Sequence, residues 1–136
     1  MPLMLWNDRL SVGVADLDND HKKLLQMIND IYDLLLGERG QETLAQTLDG
    51  LADYIAIHFK REEDYFALTG YAGAAAHCLE HANMTAWVGQ MRERLLAGGS
   101  NGMPQEILSF LRDWLFEHIL GLDRKYTAHF HKFGVR

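Results

Sequence analysis

Cysteine occurs once in the 136 residues, at Cys78. A single thiol excludes an intrachain disulfide and a thiolate metal cluster. Proline occurs twice, at Pro2 and Pro104, so long helices can run without interruption. No apolar run approaches the roughly 20 residues that a membrane helix needs. The start, MPLMLWNDRL, lacks the basic-then-apolar order of a secretory signal. Positive charge is in short supply: 13 Lys and Arg face 19 Asp and Glu, for a net charge of -6. That balance argues against nucleic acid or an anionic membrane surface as partner. Hydrophobic residues at 48% and charged residues at 24% are ordinary for a globular protein. The expectation is one cytoplasmic domain, 1–136. Seven histidines are the first number that is not ordinary.

Residues 1–17 carry no helical period and are expected to form an extended N-terminal arm, with Trp6 as its anchor. In DLDNDH, Asp18 is expected to cap a first helix, and Asp20 adds charge that suits the helix dipole. From there His21, Leu24, Ile28, Ile31 and Leu35 recur at spacings of three and four, one face of a helix over about 18–37. GERGQ is the turn. A second helix is expected over about 41–66, with the stripe Leu44, Leu48, Leu51, Ile55, His58, Glu62, Tyr65. A third, about 72–97, carries His77, His81, Met84, Val88, Met91 and Leu95. AGGSNGMP reads as a loop, and Pro104 suits the first turn of a fourth helix over 104–121. That helix repeats Ile107, Leu111, Trp114, His118. The tail, 124–136, is expected to add at most a short helical extension. Four amphipathic helices with short connections predict an all-α, antiparallel up-down-up-down four-helix bundle.

Each of the four apolar stripes is interrupted by histidine. One histidine on such a face is ordinarily a hydrogen-bonded core residue. Five spread over every helix, with Glu62 beside His58, are a different matter. An unpaired buried polar group costs on the order of 1–3 kcal/mol, and a whole domain has only about 5–15 kcal/mol to spare. Something buried must bind these side chains together, and a metal is the economical answer. Imidazole with carboxylate suits iron, zinc, manganese or copper. Five histidines and two carboxylates exceed the four ligands of a tetrahedral zinc site. Seven fit two six-coordinate ions that share carboxylates.

The second carboxylate, Asp123, is out of step. In HILGLD it follows His118 by five residues, which at about 100° per residue turns it some 140° away on a regular helix. For Asp123 to join the others, the helix must bulge in the π manner or end near Gly121, where glycine would make either easier.

His21, then His58-x-x-x-Glu62, His77-x-x-x-His81 and His118-x-x-x-x-Asp123, resemble the hemerythrin signature in its bacterial form. The leading WNDRLSVGVADLDNDH is similar as well, and the likeness spans essentially the whole chain. The resemblance implies a non-haem di-iron site that binds dioxygen reversibly, for storage, transport or delivery to an oxygen-consuming oxidase, rather than an enzyme. It implies that His77, His81 and His118 hold one iron and His21 and His58 the other, which keeps a position open for O2. Glu62 and Asp123 would bridge both irons with an oxo or hydroxo group. Leu24, Phe59, Trp114, Leu115 and Ile119 would line the O2 pocket. Nothing in the sequence demands an assembly, and a monomer is expected. In that chemistry two electrons go to dioxygen and the bridge proton moves with them, so the buried cluster keeps its formal charge and no new charge is desolvated.

A ferritin-like di-iron oxidase or iron-handling bundle would use Glu-x-x-His pairs. The residues three before each histidine are Asp18, Ile55, Ala74, Cys78, Leu115, Tyr126 and Ala128, so no such pair exists. A haem bundle needs two axial ligands, not five, and Cys-x-x-Cys-His is missing. A stand-alone O2 or redox sensor acting through a partner is the remaining alternative. His129 and His131 fall outside the signature and read as surface or end-packing residues. Cys78 reads as a small core filler, and Glu63 and Asp64 as solvated helix surface.

Overall fold

The computed structural model describes residues 4–36, 41–98 and 103–136. Among them, four long helices carry the fold: α1 (Ala15–Leu36), α2 (Gln41–Thr69), α3 (Ala74–Leu96) and α4 (Met103–Glu117). A π-helical turn (His118–Leu122), a 3-10 turn (Asp123–Tyr126) and a short α5 (Thr127–Lys132) follow. The chain is a four-helix bundle, with α1 packed on α2 and α4, and α2 packed on α3. Residues 37–40 of the GERGQ turn and the centre of the AGGSNGMP loop at 99–102 lie outside the described residues.

The buried stripes follow the 3.6-residue period. On α3 the buried residues are His77, His81, Met84, Val88, Met91 and Leu95. On α2, Leu44, Leu48, Leu51, Ile55, His58 and Glu62 are buried, and Phe66 then replaces the expected Tyr65. Tyr65 is instead half-buried and donates its hydroxyl proton to Asp16. On α4 the inner row is Met103, Ile107, Leu111 and Leu115, while Trp114 is half-buried. Each fully buried Leu or Ile of these rows contributes on the order of 1.5–3 kcal/mol.

The two chain ends differ most from expectation. The arm contains a 3-10 turn, Asp8–Leu10, capped by Asn7. Its buried anchors are Met4, Leu10, Val12 and Val14; Trp6 is half-buried, with the Lys22 ammonium 5.1 Å from its ring centre. The Asn29 side chain clamps Met4, accepting from its amide at 2.8 Å and donating to its carbonyl at 2.9 Å. Helix α1 begins at Ala15, so Asp18 lies within its first turn, where it accepts from the Val12 amide and the Ser11 hydroxyl. Asp18 thus ties the arm down instead of capping the helix.

The tail is built into the core. Tyr126 and Phe130 are fully buried beside Phe66 and Tyr71. Thr127 donates to the Val12 carbonyl, His131 to the Gly13 carbonyl at 2.7 Å and His129 to the Thr69 carbonyl at 2.8 Å. His129 and His131 therefore pack the end of the bundle. Gly13 has φ +75, and a Cβ there would meet Thr127 and the His131 ring at 2.9–3.0 Å, so this crossing requires glycine.

Candidate metal centre

The π turn is what delivers Asp123. One extra residue in the turn His118–Leu122 changes the angular step, and Asp123 arrives with no exposed surface at all. Of the two routes open to it, the chain takes the bulge. Gly121 is not what permits it: the residue has no positive φ, and a Cβ there would meet nothing within 4 Å.

His21 comes from α1, His58 and Glu62 from α2, His77 and His81 from α3, and His118 and Asp123 from either end of the bulge. All seven are buried. Their ligand atoms form two groups, Glu62 with His77, His81 and His118, and His21 with His58, Glu62 and Asp123; within each group the atoms lie within 4.8 Å of one another. Both carboxylates touch both groups. Asp123 sets one oxygen 2.9 Å from the Nε2 atoms of His77 and His118, and the other 3.0 Å from Nε2 of His21. Glu62 Oε1 lies 3.0 Å from His58 and 3.3 Å from His81, and its Oε2 lies 3.7 Å from His77.

The carboxylates are close to the imidazoles without being satisfied by them. Both oxygens of Glu62 and both of Asp123 lie off the N–H directions and accept no hydrogen bond of acceptable angle, and Nε2 of His81 is equally unpartnered. Nε2 of His21 faces Nε2 of His58 at 3.1 Å, and Nε2 of His77 faces that of His118 at 3.2 Å. Like atoms aimed at each other, around carboxylates with open lone pairs, are donors arranged around a shared electrophile. The residues present fit a metal centre.

The charges agree. Burial opposes ionisation of Glu62 and Asp123 repels it, yet the charge of His58 holds its carboxyl at about 2. Burial likewise opposes Asp123, and the charge and contact of His118, then His21 and His77, hold it well below the usual carboxylate range. Burial would lower His58, but Glu62 and then Asp20 lift it to about 10. Burial leaves His81 lowered. Two anions in a fully buried site thus draw cationic charge onto their neighbours, the electrostatic demand that a metal ion meets.

Two residues around the cluster were not legible as part of it. Asp20, read as a helix-dipole residue, is buried and accepts from His58 Nδ1 at 2.9 Å and from the Tyr54 hydroxyl at 3.0 Å. Tyr126 stacks on the His77 ring, centroids 5.8 Å apart, and its hydroxyl is raised well above its ordinary value by burial and the charges of Asp123 and Glu62. Asp20 signals itself only by preceding His21, and Tyr126 only by following Asp123 by three. Glu63, expected on the solvated surface, is half-buried with one oxygen 3.8 Å from His81 Nδ1, whereas Asp64 is exposed and pairs with Lys60. Cys78 is half-buried beside Glu63, its thiol pushed up to about 11 by burial and that carboxylate.

Of the expected pocket residues, Leu24, Phe59, Leu115 and Ile119 are buried and Trp114 is half-buried. Phe59 lies flat on His81, with centroids 3.7 Å apart and planes 6° from parallel, and Trp114 stacks on His118 at 4.6 Å.

A helix bundle that converges five imidazoles and two carboxylates in its interior defines a His/carboxylate metalloprotein. Residues 12–129 match the model of the hemerythrin HHE cation binding domain. The chain is 33% identical over 127 residues to the bacteriohemerythrin of Clostridium acetobutylicum, covering 91% of this chain and 98% of that relative. It is 34% identical over 128 residues to the bacteriohemerythrin of Methylococcus capsulatus, covering 93% and 95%. A solved wild-type hemerythrin superposes with a TM-score of 0.83 at 32% identity, over 94% of this chain and 98% of that one. The chain belongs to the hemerythrin family. None of the helices among the described residues is long and apolar enough to cross a membrane.

Proposed function

We propose that this chain binds dioxygen reversibly at a carboxylate-bridged, non-haem di-iron centre, serving oxygen storage, transport or delivery. His77, His81 and His118 hold one iron, His21 and His58 hold the other, and Glu62 with Asp123 bridges the two. The observation that carries this reading is the division of Asp123: one oxygen faces His77 and His118 while the other faces His21. A carboxylate serving a single ion has no reason to be shared in this way.

When bound, the iron pair supplies the electrons that dioxygen takes up and returns. The chain's own residues do the rest. The His21 and His58 set contributes two imidazoles against three on the other side, so its ion keeps room for a further ligand. Leu24, Phe59, Trp114, Leu115 and Ile119 supply an apolar wall that excludes water from that place. Of the buried groups beside the seven ligands, Asp20 lies behind His58 with its carboxyl lowered by His58, Tyr54 and Arg61 against the pull of burial, and the Tyr126 phenol is kept protonated by burial and two nearby anions. A wall without a proton donor of ordinary acidity favours release over further reaction.

Anaerobic reconstitution with Fe(II), followed by cycles of air and argon, tests the reading. Two irons per chain are expected, with visible absorption that rises in air and falls under argon over repeated cycles. One metal per chain, or irreversible bleaching in the first cycle, overturns it.

A further inference from the structure

The imidazoles of the cluster are not equivalent on their outer sides. Nδ1 of His21, His77 and His81 is buried without a hydrogen-bond partner. His58 alone among the described cluster histidines gives its Nδ1 proton to a carboxylate at hydrogen-bond distance, the 2.9 Å bond to Asp20. The nearest comparable group, Glu63 beside His81, stands 3.8 Å off. Asp20 is itself shared. The oxygen that accepts from His58 also lies 3.0 Å from Nε of Arg61, an ion pair without a hydrogen bond of acceptable angle, and its other oxygen accepts from Tyr54. The Arg61 side chain is 41% exposed, so this buried carboxylate is tied through one cation to the protein surface.

We propose that Asp20 is a positioning residue that sets the electron-donor strength of His58, and that Arg61 meters it by placing its positive charge beside the same oxygen. The bond fixes the tautomer that frees His58 Nε2 for a metal. A carboxylate on Nδ1–H also pushes electron density through the ring to Nε2, which favours the more highly charged state of any ion held there. Under the di-iron reading, on which this inference rests, His58 serves the ion that meets dioxygen. Asp20 then favours the oxygenated state and slows release, and Arg61 tempers that bias. The two residues are predicted to act in opposite directions, which a merely structural network would not do.

The test compares the full chain with Asp20→Asn and Arg61→Met. Asparagine keeps the acceptor oxygen and the shape but removes the charge; methionine removes the cation from a partly exposed position. In iron-loaded protein Asp20→Asn is expected to weaken dioxygen affinity by about 10–100-fold, the range typical of such outer partners, and to raise the midpoint potential of the iron couple. Arg61→Met is expected to tighten affinity and lower that potential. Zn(II) affinity of the metal-free chain gives a readout without iron or oxygen, and the same order is expected: Arg61→Met tightest, wild type between, Asp20→Asn weakest. Both variants shifting the same way, or neither shifting, overturns the proposal. If the zinc order holds while wild type fails the air–argon cycles, the oxygen-carrying reading falls and the tuning of His58 stands. Arg61→Met alone decides the sign should Asp20→Asn not fold.

Discussion

His58 and His81 both touch the same oxygen of Glu62, at 3.0 and 3.3 Å, yet their surroundings are opposite in kind. His58 is held from behind by charge, through Asp20 and then Tyr54 and Arg61. His81 is held by a ring, the face of Phe59 at 3.7 Å. The pattern extends over its half of the site, where Trp114 covers His118 and Tyr126 covers His77. A hydrogen bond to an anion alters how strongly an imidazole donates. A stacked ring fixes its orientation and keeps water away, with little effect on its charge. His58 on one side of the centre is set electronically, and the three imidazoles on the other side are braced mechanically. Under the proposed di-iron reading, that suits a site in which one ion changes its ligands and the other does not.

The comparison breaks most completely at Asp123, which belongs to both halves. Asp123→Ala is expected to drop metal content from two ions per chain to below one, with the largest loss of melting temperature of any single change considered. His118→Ala removes a ligand from the braced half alone. It should lower iron content and destabilise the fold by about 3–5 kcal/mol, the range for breaking a buried charge pair, because Asp123 keeps its charge and loses a partner. Metal analysis and thermal melts of the two variants settle the order. Unchanged loading and melting in His118→Ala would remove His118 from the centre, and near-complete loading in Asp123→Ala would end the idea of a shared carboxylate.

How far such residues could be read in advance depends on the kind of geometry involved. His21, His58, Glu62, His77, His81 and His118 announce themselves by period, because an interrupted apolar stripe on a regular helix points inward wherever the bundle packs. The irregularity at Asp123 was readable too, since a five-residue step forces a choice between leaving the cluster and distorting the helix. Which distortion occurs was not readable, and the glycine expected to ease it plays no steric part. Asp20 was missed because its partner is on α2, and which side chains of α1 and α2 meet depends on a rotation that no single-helix pattern encodes. Tyr126 was missed because a π turn and the 3-10 turn it closes separate it from α4, and periodicity has no meaning across them. The start of α1 at Ala15 escaped for a local reason: Asp18 has the chemistry of a cap but uses it on Ser11 and Val12 of the arm.

Stripped of metal, the centre should become pH-sensitive in two directions. Glu62 is held at about 2 in the folded chain against an ordinary 4.5. A lowered carboxyl contributes stability above its unfolded value and loses it as pH falls toward the folded one, so the metal-free chain should weaken from about pH 4.5 down to about 2. His58 is raised to about 10 from 6.5. A raised imidazole contributes fully below its unfolded value and loses that contribution as pH climbs, here from about 6.5 to about 10. Urea denaturation of the metal-free chain is expected to show greatest stability between these limits, with losses on both sides. The alkaline loss should shrink in Asp20→Asn, which removes one of the groups that lift His58, and persist in Phe59→Leu, which leaves the carboxylates around His58 in place. A flat profile would mean that the buried charges compensate one another without a metal.

The smallest expected effect is the most selective. Phe59→Leu keeps the site apolar and removes only the ring that lies on His81. Stacked aromatic pairs are worth about 0.5–1.5 kcal/mol beyond the area they bury, and the lost volume adds a comparable amount. A loss of about 1–2 kcal/mol is therefore expected, well below that of His118→Ala, with two ions per chain retained. If the bracing is mechanical, the midpoint potential should move much less than in Asp20→Asn although the stability loss is real. Urea denaturation and potentiometry on the same preparation separate the two quantities. A shift in potential as large as that of Asp20→Asn would show that the stacked ring also sets the electronics of its imidazole, and the division between a tuned half and a braced half would no longer hold.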